Sequence, residues 1–256
     1  MANSTHKIYL VAGATRGIGL ALVAEIAATD PSAIIYAGGR NPAGAQLLVE
    51  LAARYPGHVI PVKYIAADKE GNEALAKEIS AKHGHVDTVI ANAAIGGNLA
   101  QIHETTVETY KEHFSVNTIG PIVLFQAFRD ILKASPLPRF VPISSGAGSI
   151  AMIESTPVET SAYGMSKAAL NWVTRKIHYE NEWLVAYPQC PGAVDTDMSK
   201  EFIATEKTGM MKVVFEKYPQ RQPDEAARML VAAITTSTRE GDGGQFHNVE
   251  GGRHLW

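Results

Sequence analysis

Short apolar runs alternate with longer stretches of helical periodicity along most of the chain. The runs predict strands at residues 8–12, 33–37, 59–64, 86–91, 140–144 and 184–187, with a further candidate at 244–248. The first run is apolar throughout rather than alternating, which is typical of a strand buried on both faces of a sheet. Pro61 weakens the prediction of the third strand, because proline cannot donate a ladder hydrogen bond.

Helical periodicity occupies the segments between the runs. It predicts helices at residues 18–28, 42–54, 72–83, 107–132, 161–183 and 223–234. The longest of them is expected to be interrupted near Gly120-Pro121. Residues 196–218 are rich in Met and Lys and show no clear period. We expect a mobile apolar lid over a substrate at about residues 196–220, and a surface helix packed on the core is the alternative for Met210–Phe215.

The repeated strand–helix order predicts an α/β fold. Parallel pairing follows from it, and we expect one Rossmann-like domain over residues 1–256, a doubly wound parallel β-sheet with helices on both faces. Ligands of such sheets bind outside the carboxyl ends of the strands. Gly13, Asn92, Ser145 and Pro191 all fall at or just past those ends. The sequence therefore predicts one site at that edge.

Composition narrows the possible classes of protein. The formal net charge is −3, so the chain has no excess of basic residues that would indicate nucleic-acid binding. No apolar stretch approaches the ~18 residues of a membrane span, and the polar N-terminus does not resemble a signal peptide. A single cysteine, Cys190, fits a reducing compartment, and we expect a cytoplasmic location. The nine histidines are scattered, so no metal is expected.

A glycine-rich turn follows the first strand and opens the first helix. Gly13, Gly17 and Gly19 give the spacing Gly-x-x-x-Gly-x-Gly. Such a turn lets the backbone approach a pyrophosphate, and the helix N-terminus attracts the anion. A tight turn without a ligand is the alternative.

The end of the second strand bears on the choice of cofactor. It reads Ala37-Gly38-Gly39-Arg40 and has no carboxylate for a ribose 2′-hydroxyl. Arg40 and Arg16 are cations suited to a 2′-phosphate, so we predict NADPH in preference to NADH. A solvated Arg40 that only begins the next helix is the alternative. Asp68 is a candidate partner for the adenine amino group, or else a helix cap.

Tyr163 and Lys167 lie four residues apart, on one face of a predicted helix. An ammonium near a phenol favours the phenolate, so we expect the tyrosine pKa to fall from about 10 toward neutrality. That would make Tyr163 a usable acid for a carbonyl oxygen. Ser144 and Ser145, at the end of the fifth strand, are candidates for orienting that oxygen, or simply turn hydroxyls.

The ordered set of motifs resembles the short-chain dehydrogenase/reductase family over nearly the whole chain. The set is Gly13-x-x-x-Gly17-x-Gly19, Asn92-Ala-Ala, Asn117, Ser-Ser, Tyr163-x-x-x-Lys167 and Pro191-Gly192. The resemblance implies Tyr163 as general acid or base and Ser145 as the group that polarises the substrate carbonyl. It also implies that Lys167 contacts the nicotinamide ribose and that Asn117 holds a water that passes protons to Lys167.

The resemblance also implies a set of cofactor-binding residues. They are Gly13, Thr15, Arg16, Gly17, Ile18, Gly19, Arg40, Asp68, Asn92, Ala93, Tyr163, Lys167, Pro191, Gly192, Val194 and Thr196. Ala12 and Ala94 depart from the usual Thr and Gly. Ser145 lies eighteen residues before Tyr163, further than usual, so the loop at 146–160 is expected beside the substrate and Ser144 stays an alternative. This loop, with Gly244-Gln-Phe and Trp256, resembles a branch that contains fungal ketoreductases and carbonyl reductases.

These observations predict an NADPH-dependent reductase of a small-molecule ketone or aldehyde. An NAD-linked alcohol dehydrogenase and a non-catalytic dinucleotide sensor are the alternatives, since a fold does not decide a function. The resemblance implies a homodimer or homotetramer, paired through residues 107–132 and 161–183. No nucleic-acid or membrane partner is expected.

Overall fold

The computed structural model describes residues 6–97, 99–155 and 158–256, so residues 1–5 and Pro157 of the 146–160 loop lie outside it. Its main sheet has six parallel strands in the order β3-β2-β1-β4-β5-β6. Two short strands, β7 and β8, pair beside it. The strands are β1 Lys7–Ala12, β2 Ala33–Gly39, β3 Val59–Lys63, β4 Thr88–Ala91, β5 Arg139–Pro142, β6 Val185–Ala186, β7 Gln189–Cys190 and β8 His247–Asn248. The predicted doubly wound parallel fold is confirmed.

Helices cover both faces of the sheet. They are α1 Gly17–Thr29, α2 Gln46–Arg54, α3 Lys69–His83, α4 Val107–Phe114, α5 Gly120–Lys133, α6 Ser161–Glu180, α7 Asp197–Thr205, α8 Met210–Lys217 and α9 Pro223–Thr236. In the part of the chain that the structure describes, none of these helices has the length and apolarity needed to span a membrane.

Two apolar cores lie between the sheet and its helix layers. Tyr9 and Val11 of β1 point into the core shared with α1, α2 and α9. Ile8 and Leu10 point into the opposite core, shared with α3, α5 and α6. Successive side chains of a strand face opposite sides, so burial of both faces explains why this run is apolar throughout.

Several predicted boundaries shift for local reasons. The second helix begins at Gln46 rather than Pro42, because Asn41 accepts a hydrogen bond from the Gly44 amide in a turn that uses residues 41–45. β3 is an edge strand, where Pro61 is tolerated. The catalytic-helix candidate ends at Glu180 rather than 183, and the runs at 184–187 and 244–248 form only two-residue strands.

The predicted long helix at 107–132 is three segments. α4 is followed by a π-helical turn, Ser115–Ile119, and then by α5. The interruption therefore lies just before Gly120, which confirms the predicted break near Gly120-Pro121. Pro121 sits in the first turn of α5, where its missing amide proton costs no hydrogen bond.

The predicted lid segment, whose sequence shows no clear helical period, forms two short helices. Thr196 and Ser199 form a reciprocal capping box that begins α7. Gly209 begins α8 in the left-handed region, at φ 74°. With nine residues in α7 and eight in α8, each helix is too short for its sequence to show a clear helical period.

Candidate active site

The glycine turn packs directly against the residues that follow β4. Gly13 has φ 74°, and a Cβ atom built there would lie 2.7 Å from Ala93 Cα. Only glycine fits that position. The Asn92 side chain donates hydrogen bonds to the carbonyl oxygens of Ala12, at 3.3 Å, and Gly13, at 3.0 Å. Asn92 therefore ties the end of β4 to the glycine turn, and its contact with the cofactor stays a prediction.

The N-terminus of α1 has no capping side chain. Gly17 has φ 54°, Arg16 occupies the cap position without a side-chain hydrogen bond to the helix, and the first turn has no acidic residue. The helix-start amides, which include those of Ile18 and Gly19, are therefore suited to an anion. These observations fit a dinucleotide pyrophosphate.

The end of β2 lies beside the glycine turn. A Cβ atom on Gly39 would come within 2.3 Å of the Thr15 side chain, and the Ala14 amide donates to Gly38 O at 2.8 Å. This places exposed Arg40 at the same edge as Arg16. Arg16 is engaged already, because its Nη1 atom lies 2.9 Å from Asp197 Oδ2 on α7.

Asp68 has the capping role that was one of its two predicted alternatives. It precedes α3, and its carboxylate accepts a hydrogen bond from the Gly71 amide at 3.0 Å. A contact with adenine stays a prediction.

Tyr163 and Lys167 are both buried on α6, with side chains on one face. Lys167 Nζ donates to the Ile143 carbonyl oxygen at 2.8 Å and lies 5.7 Å from the centroid of the Tyr163 ring. A side-chain hydrogen bond joins Tyr163 to Ser145. Three of the four predicted catalytic side chains, Ser145, Tyr163 and Lys167, therefore lie together at the carboxyl ends of the strands.

The expected fall in the tyrosine pKa is wrong for this structure. Burial raises the pKa of Tyr163 to about 12, and the hydrogen bond with Ser145 lowers it only in part. Burial also lowers the pKa of Lys167 to about 8. Desolvation disfavours both charged forms, and here it outweighs the proximity of the ammonium to the phenol ring.

The two serines have different partners. Ser144 Oγ donates to Asn171 Oδ1 at 2.5 Å and is buried, which ties it to α6. Ser145 Oγ accepts from the Ala147 amide at 3.2 Å and bonds Tyr163. The longer spacing before Tyr163 therefore leaves Ser145, not Ser144, beside the phenol.

Asn117 lies in the π-helical turn and is fully engaged by protein groups. Its Oδ1 atom accepts from the Ile95 amide at 2.9 Å, and its Nδ2 atom donates to Ile95 O at 2.9 Å and to Ser166 Oγ at 3.0 Å. The side chain therefore fastens the turn to the segment after β4. The water relay to Lys167 stays a prediction.

The residues after β7 face the glycine turn from the other side. This segment contains Pro191, Gly192, Val194 and Thr196. Thr196 Cγ2 lies 3.6 Å from the position of a Cβ atom on Gly17, and its Oγ1 atom accepts from the Ser199 amide at 3.2 Å. A nicotinamide contact is a prediction for all four residues.

An apolar cluster, formed partly by the lid segment, packs against Tyr163. Tyr163 packs with Leu99, Phe202 and Met211, and the rings of Tyr163 and Phe202 meet edge to face at 5.3 Å. Val158 of the 146–160 loop packs against the same cluster. Sequence reasoning missed Leu99 and Phe202, since neither belongs to a motif or a readable period.

The scattered histidines form no ligand set. Within residues 6–97, 99–155 and 158–256, no three His, Cys, Asp or Glu side chains are grouped closely enough to hold a metal ion. The expectation of a metal-free site stays a prediction.

The model of the short chain dehydrogenase family matches residues 7–207 of the chain. The chain belongs to that family. It is 31% identical to the norsolorinic acid ketoreductase nor1 of Dothistroma septosporum, over 99% of this chain and 93% of the relative. It is 34% identical to the norsolorinic acid ketoreductase stcE of Emericella nidulans, over 78% of this chain and 77% of the relative.

Solved structures agree with this assignment. The NADPH-bound carbonyl reductase from chicken fatty liver superimposes with a TM-score of 0.84 at 28% identity, over 98% of this chain and 99% of that one. The KRED1-Pglu enzyme superimposes with a TM-score of 0.82 at 26% identity, over 93% and 98%. The chain is thus an oxidoreductase-family member that resembles fungal ketoreductases and carbonyl reductases.

Proposed function

We propose that the chain is an NADPH-dependent carbonyl reductase that converts a ketone or aldehyde to an alcohol. The observation that carries the proposal is the buried contact of Ser145 with Tyr163, one helical turn from Lys167. This group lies at the same sheet edge as the uncapped glycine turn. A bound dihydronicotinamide would supply the hydride, and this chain would supply the proton.

The side chains have separate roles in that step. Tyr163 gives its proton to the carbonyl oxygen as negative charge grows there, and the Ser145 hydroxyl hydrogen-bonds the same oxygen. Lys167 orients the ribose and adds positive charge near the phenol. A phenol whose pKa is about 12 holds its proton at neutral pH, which suits reduction better than oxidation of an alcohol by a phenolate base.

The residues present fit an NADPH molecule. Gly13, Gly17 and the start of α1 would hold the pyrophosphate. Arg40 and Arg16 would bind the 2′-phosphate, since guanidinium matches phosphate geometry. The NADPH-bound state of the chicken carbonyl reductase supports this choice.

We further propose that the substrate carries an apolar, ring-bearing group next to its carbonyl. The wall beside Tyr163 consists of Leu99, Phe202 and Met211, and none of these side chains is charged. An aromatic ketone would replace the present edge-to-face ring contact with an equivalent one. The names of the fungal relatives, ketoreductases of norsolorinic acid, are consistent with this class.

The test is consumption of NADPH against a panel of aromatic and small polar carbonyls. We expect turnover of aromatic ketones and a loss of about 100-fold or more in Tyr163→Phe. Tyr179→Phe, an exposed tyrosine on the same helix, is the matched control and should retain full activity. An unchanged rate in Tyr163→Phe would refute the assigned acid.

The competing functions predict different results. Tight NADPH binding without turnover of any carbonyl would favour the dinucleotide sensor. Preference of the wild-type protein for NADH would contradict the assignment of Arg40 and Arg16 to the 2′-phosphate. If that assignment holds, Arg40→Asp should shift the preference toward NADH.

A further inference from the structure

Asn171 lies on the same face of α6 as the two catalytic residues. It follows Lys167 by one helical turn and Tyr163 by two, and its side chain is buried. Both ends of its amide are used. Oδ1 accepts from Ser144 Oγ at 2.5 Å, and Nδ2 donates to Gly148 O at 3.2 Å.

These two partners flank Ser145. Ser144 precedes it at the end of the fifth strand segment, and Gly148 closes the short helical turn that follows, Gly146–Gly148. Gly148 also rests directly on α6, since a Cβ atom there would come within 2.7 Å of the Lys167 carbonyl carbon. One amide therefore holds the loop on both sides of the residue that contacts Tyr163.

The backbone around Ser145 is held from the sheet side and from α6. Before Ser145, the Ser144 amide donates to Gln189 O at 2.8 Å, and Lys167 Nζ bonds Ile143 O. After Ser145, the Gly146 backbone bonds the buried Cys190 thiol, and the Asn171 amide provides the hydrogen bond from α6 to Gly148 O. Asn171 thus bonds residues on both flanks of Ser145.

We propose that Asn171 is a positioning residue that holds Ser145 against Tyr163. The inference rests on the proposed reductase function. An amide suits this position because one partner needs an acceptor and the other a donor. Leucine matches the size and offers neither, and aspartate offers only the acceptor. Because Asn171 acts through Ser145, its loss should have no kinetic effect once Ser145 itself is gone.

The kinetic experiment compares Asn171→Leu with wild type, alone and in a Ser145→Ala background. We expect kcat to fall about 10- to 100-fold in the single variant, as for a misplaced catalytic group. The KM for NADPH should change less than about twofold, because neither hydrogen-bond partner of Asn171, Ser144 or Gly148, is among the predicted cofactor-binding residues. In the Ser145→Ala background the same substitution should leave kcat unchanged. An equal fall in both backgrounds would refute the positioning role.

Asn181→Leu is the matched control. Asn181 is also a buried asparagine, just past the end of α6, and its amide bonds Ile177 O at 2.8 Å, away from the site. It should lower thermal stability without lowering kcat of the folded enzyme. Should Asn171→Leu fail to fold, Asn171→Ser, which keeps a hydroxyl at the site, replaces it and should show a smaller fall in kcat.

Hydrogen exchange separates this inference from the proposed function. The amides of residues 145–149 should exchange about tenfold faster or more in Asn171→Leu than in Asn181→Leu, whether or not a substrate is known. Faster exchange in a protein that reduces no carbonyl would overturn the proposed function and keep the Asn171 contact. Unchanged exchange together with unchanged kcat in an active enzyme would overturn the inference alone.

Discussion

Lys167 is buried where its charged form loses solvation. Its pKa falls from 10.5 to about 8 in the folded protein. Between these two values the unfolded chain binds more protons at this side chain than the folded chain does. Stability that depends on Lys167 is therefore present above pH 10.5 and is lost as the pH falls through about 8.

This shift predicts a pH-dependent difference from Lys167→Met. As the pH rises from 8 to 10, the free energy of unfolding of wild type should gain on the order of 2 kcal/mol relative to the variant. Tyr163, whose pKa is raised from 10 to about 12, opposes this only above pH 10. Urea unfolding of the cofactor-free proteins at three pH values measures the difference.

The matched control is Lys176→Met. Lys176 lies exposed on the same helix and pairs with Glu180 at 2.9 Å. Its removal should leave the pH dependence of unfolding close to that of wild type. If the free energy of unfolding depended on pH in the same way in the two variants, the charged form of Lys167 would be better solvated than its burial indicates.

Residue types and spacing were enough to predict which side chains meet at the candidate site, but not their electrostatic state. Tyr163, Lys167 and Ser145 follow from motif order. The raised pKa of Tyr163 depends on how completely the lid and the sheet bury it, which spacing does not specify. Asn171 was not predicted from the sequence for a related reason. Its two hydrogen-bond partners, Ser144 and Gly148, lie in a loop that is distant from it in sequence.

At the scale of elements, α7 is linked to the glycine turn by one ion pair. Arg16 Nη1 and Asp197 Oδ2 lie 2.9 Å apart, and both side chains are largely exposed, at 70% and 66%. Exposed pairs of this kind contribute about 0–1 kcal/mol, so a phosphate ligand can displace the carboxylate. In the proposed NADPH complex, Asp197 would therefore compete with the 2′-phosphate for Arg16.

That competition predicts a gain of affinity in Asp197→Asn. The dissociation constant for NADPH should fall about two- to fivefold, and that for NADH should change less, because NADH has no 2′-phosphate. Titration of protein fluorescence with each dinucleotide measures both constants.

Asp195→Asn tests whether the loss of any nearby negative charge has the same effect. Asp195 lies two residues before Asp197 and pairs with Lys200 at 3.2 Å rather than with the glycine turn. Equal tightening in both variants, or equal tightening of NADH and NADPH, would mean that Arg16 does not select the phosphate.

The elements themselves were predictable to different degrees. Strands buried on both faces and amphipathic helices of ten or more residues leave a clear pattern, as β1 and α9 do. Gly120-Pro121 indicated that the long helix is interrupted, but not that the break is a π-helical turn, in which Asn117 bonds Ile95 and Ser166. α7 and α8 are short and owe their place to the apolar cluster around Tyr163.

At the scale of the whole molecule, two helices expose apolar side chains at regular intervals. Met165, Trp172 and Tyr179 recur every seven residues along α6, and Val107 and Phe114 do so along α4. Residues seven apart lie on one face of a helix, two turns from each other. The largest of these side chains, Trp172, is 66% exposed. An exposed apolar patch of this kind on adjacent helices is characteristic of an interaction site.

We propose that this patch pairs with a second copy of the chain, as the family resemblance implies for these two helices. The formal net charge of −3 gives little repulsion between copies. Trp172→Arg places a charge at the centre of the patch, so it should convert a dimer or tetramer to a smaller species at micromolar concentration. Light scattering after size exclusion measures the mass, and activity per chain reports on folding. Leu137→Arg, at another exposed apolar position (60%), should leave the mass unchanged. A monomeric wild type would contradict the pairing, and equal dissociation by both arginine variants would mean that the interface lies elsewhere.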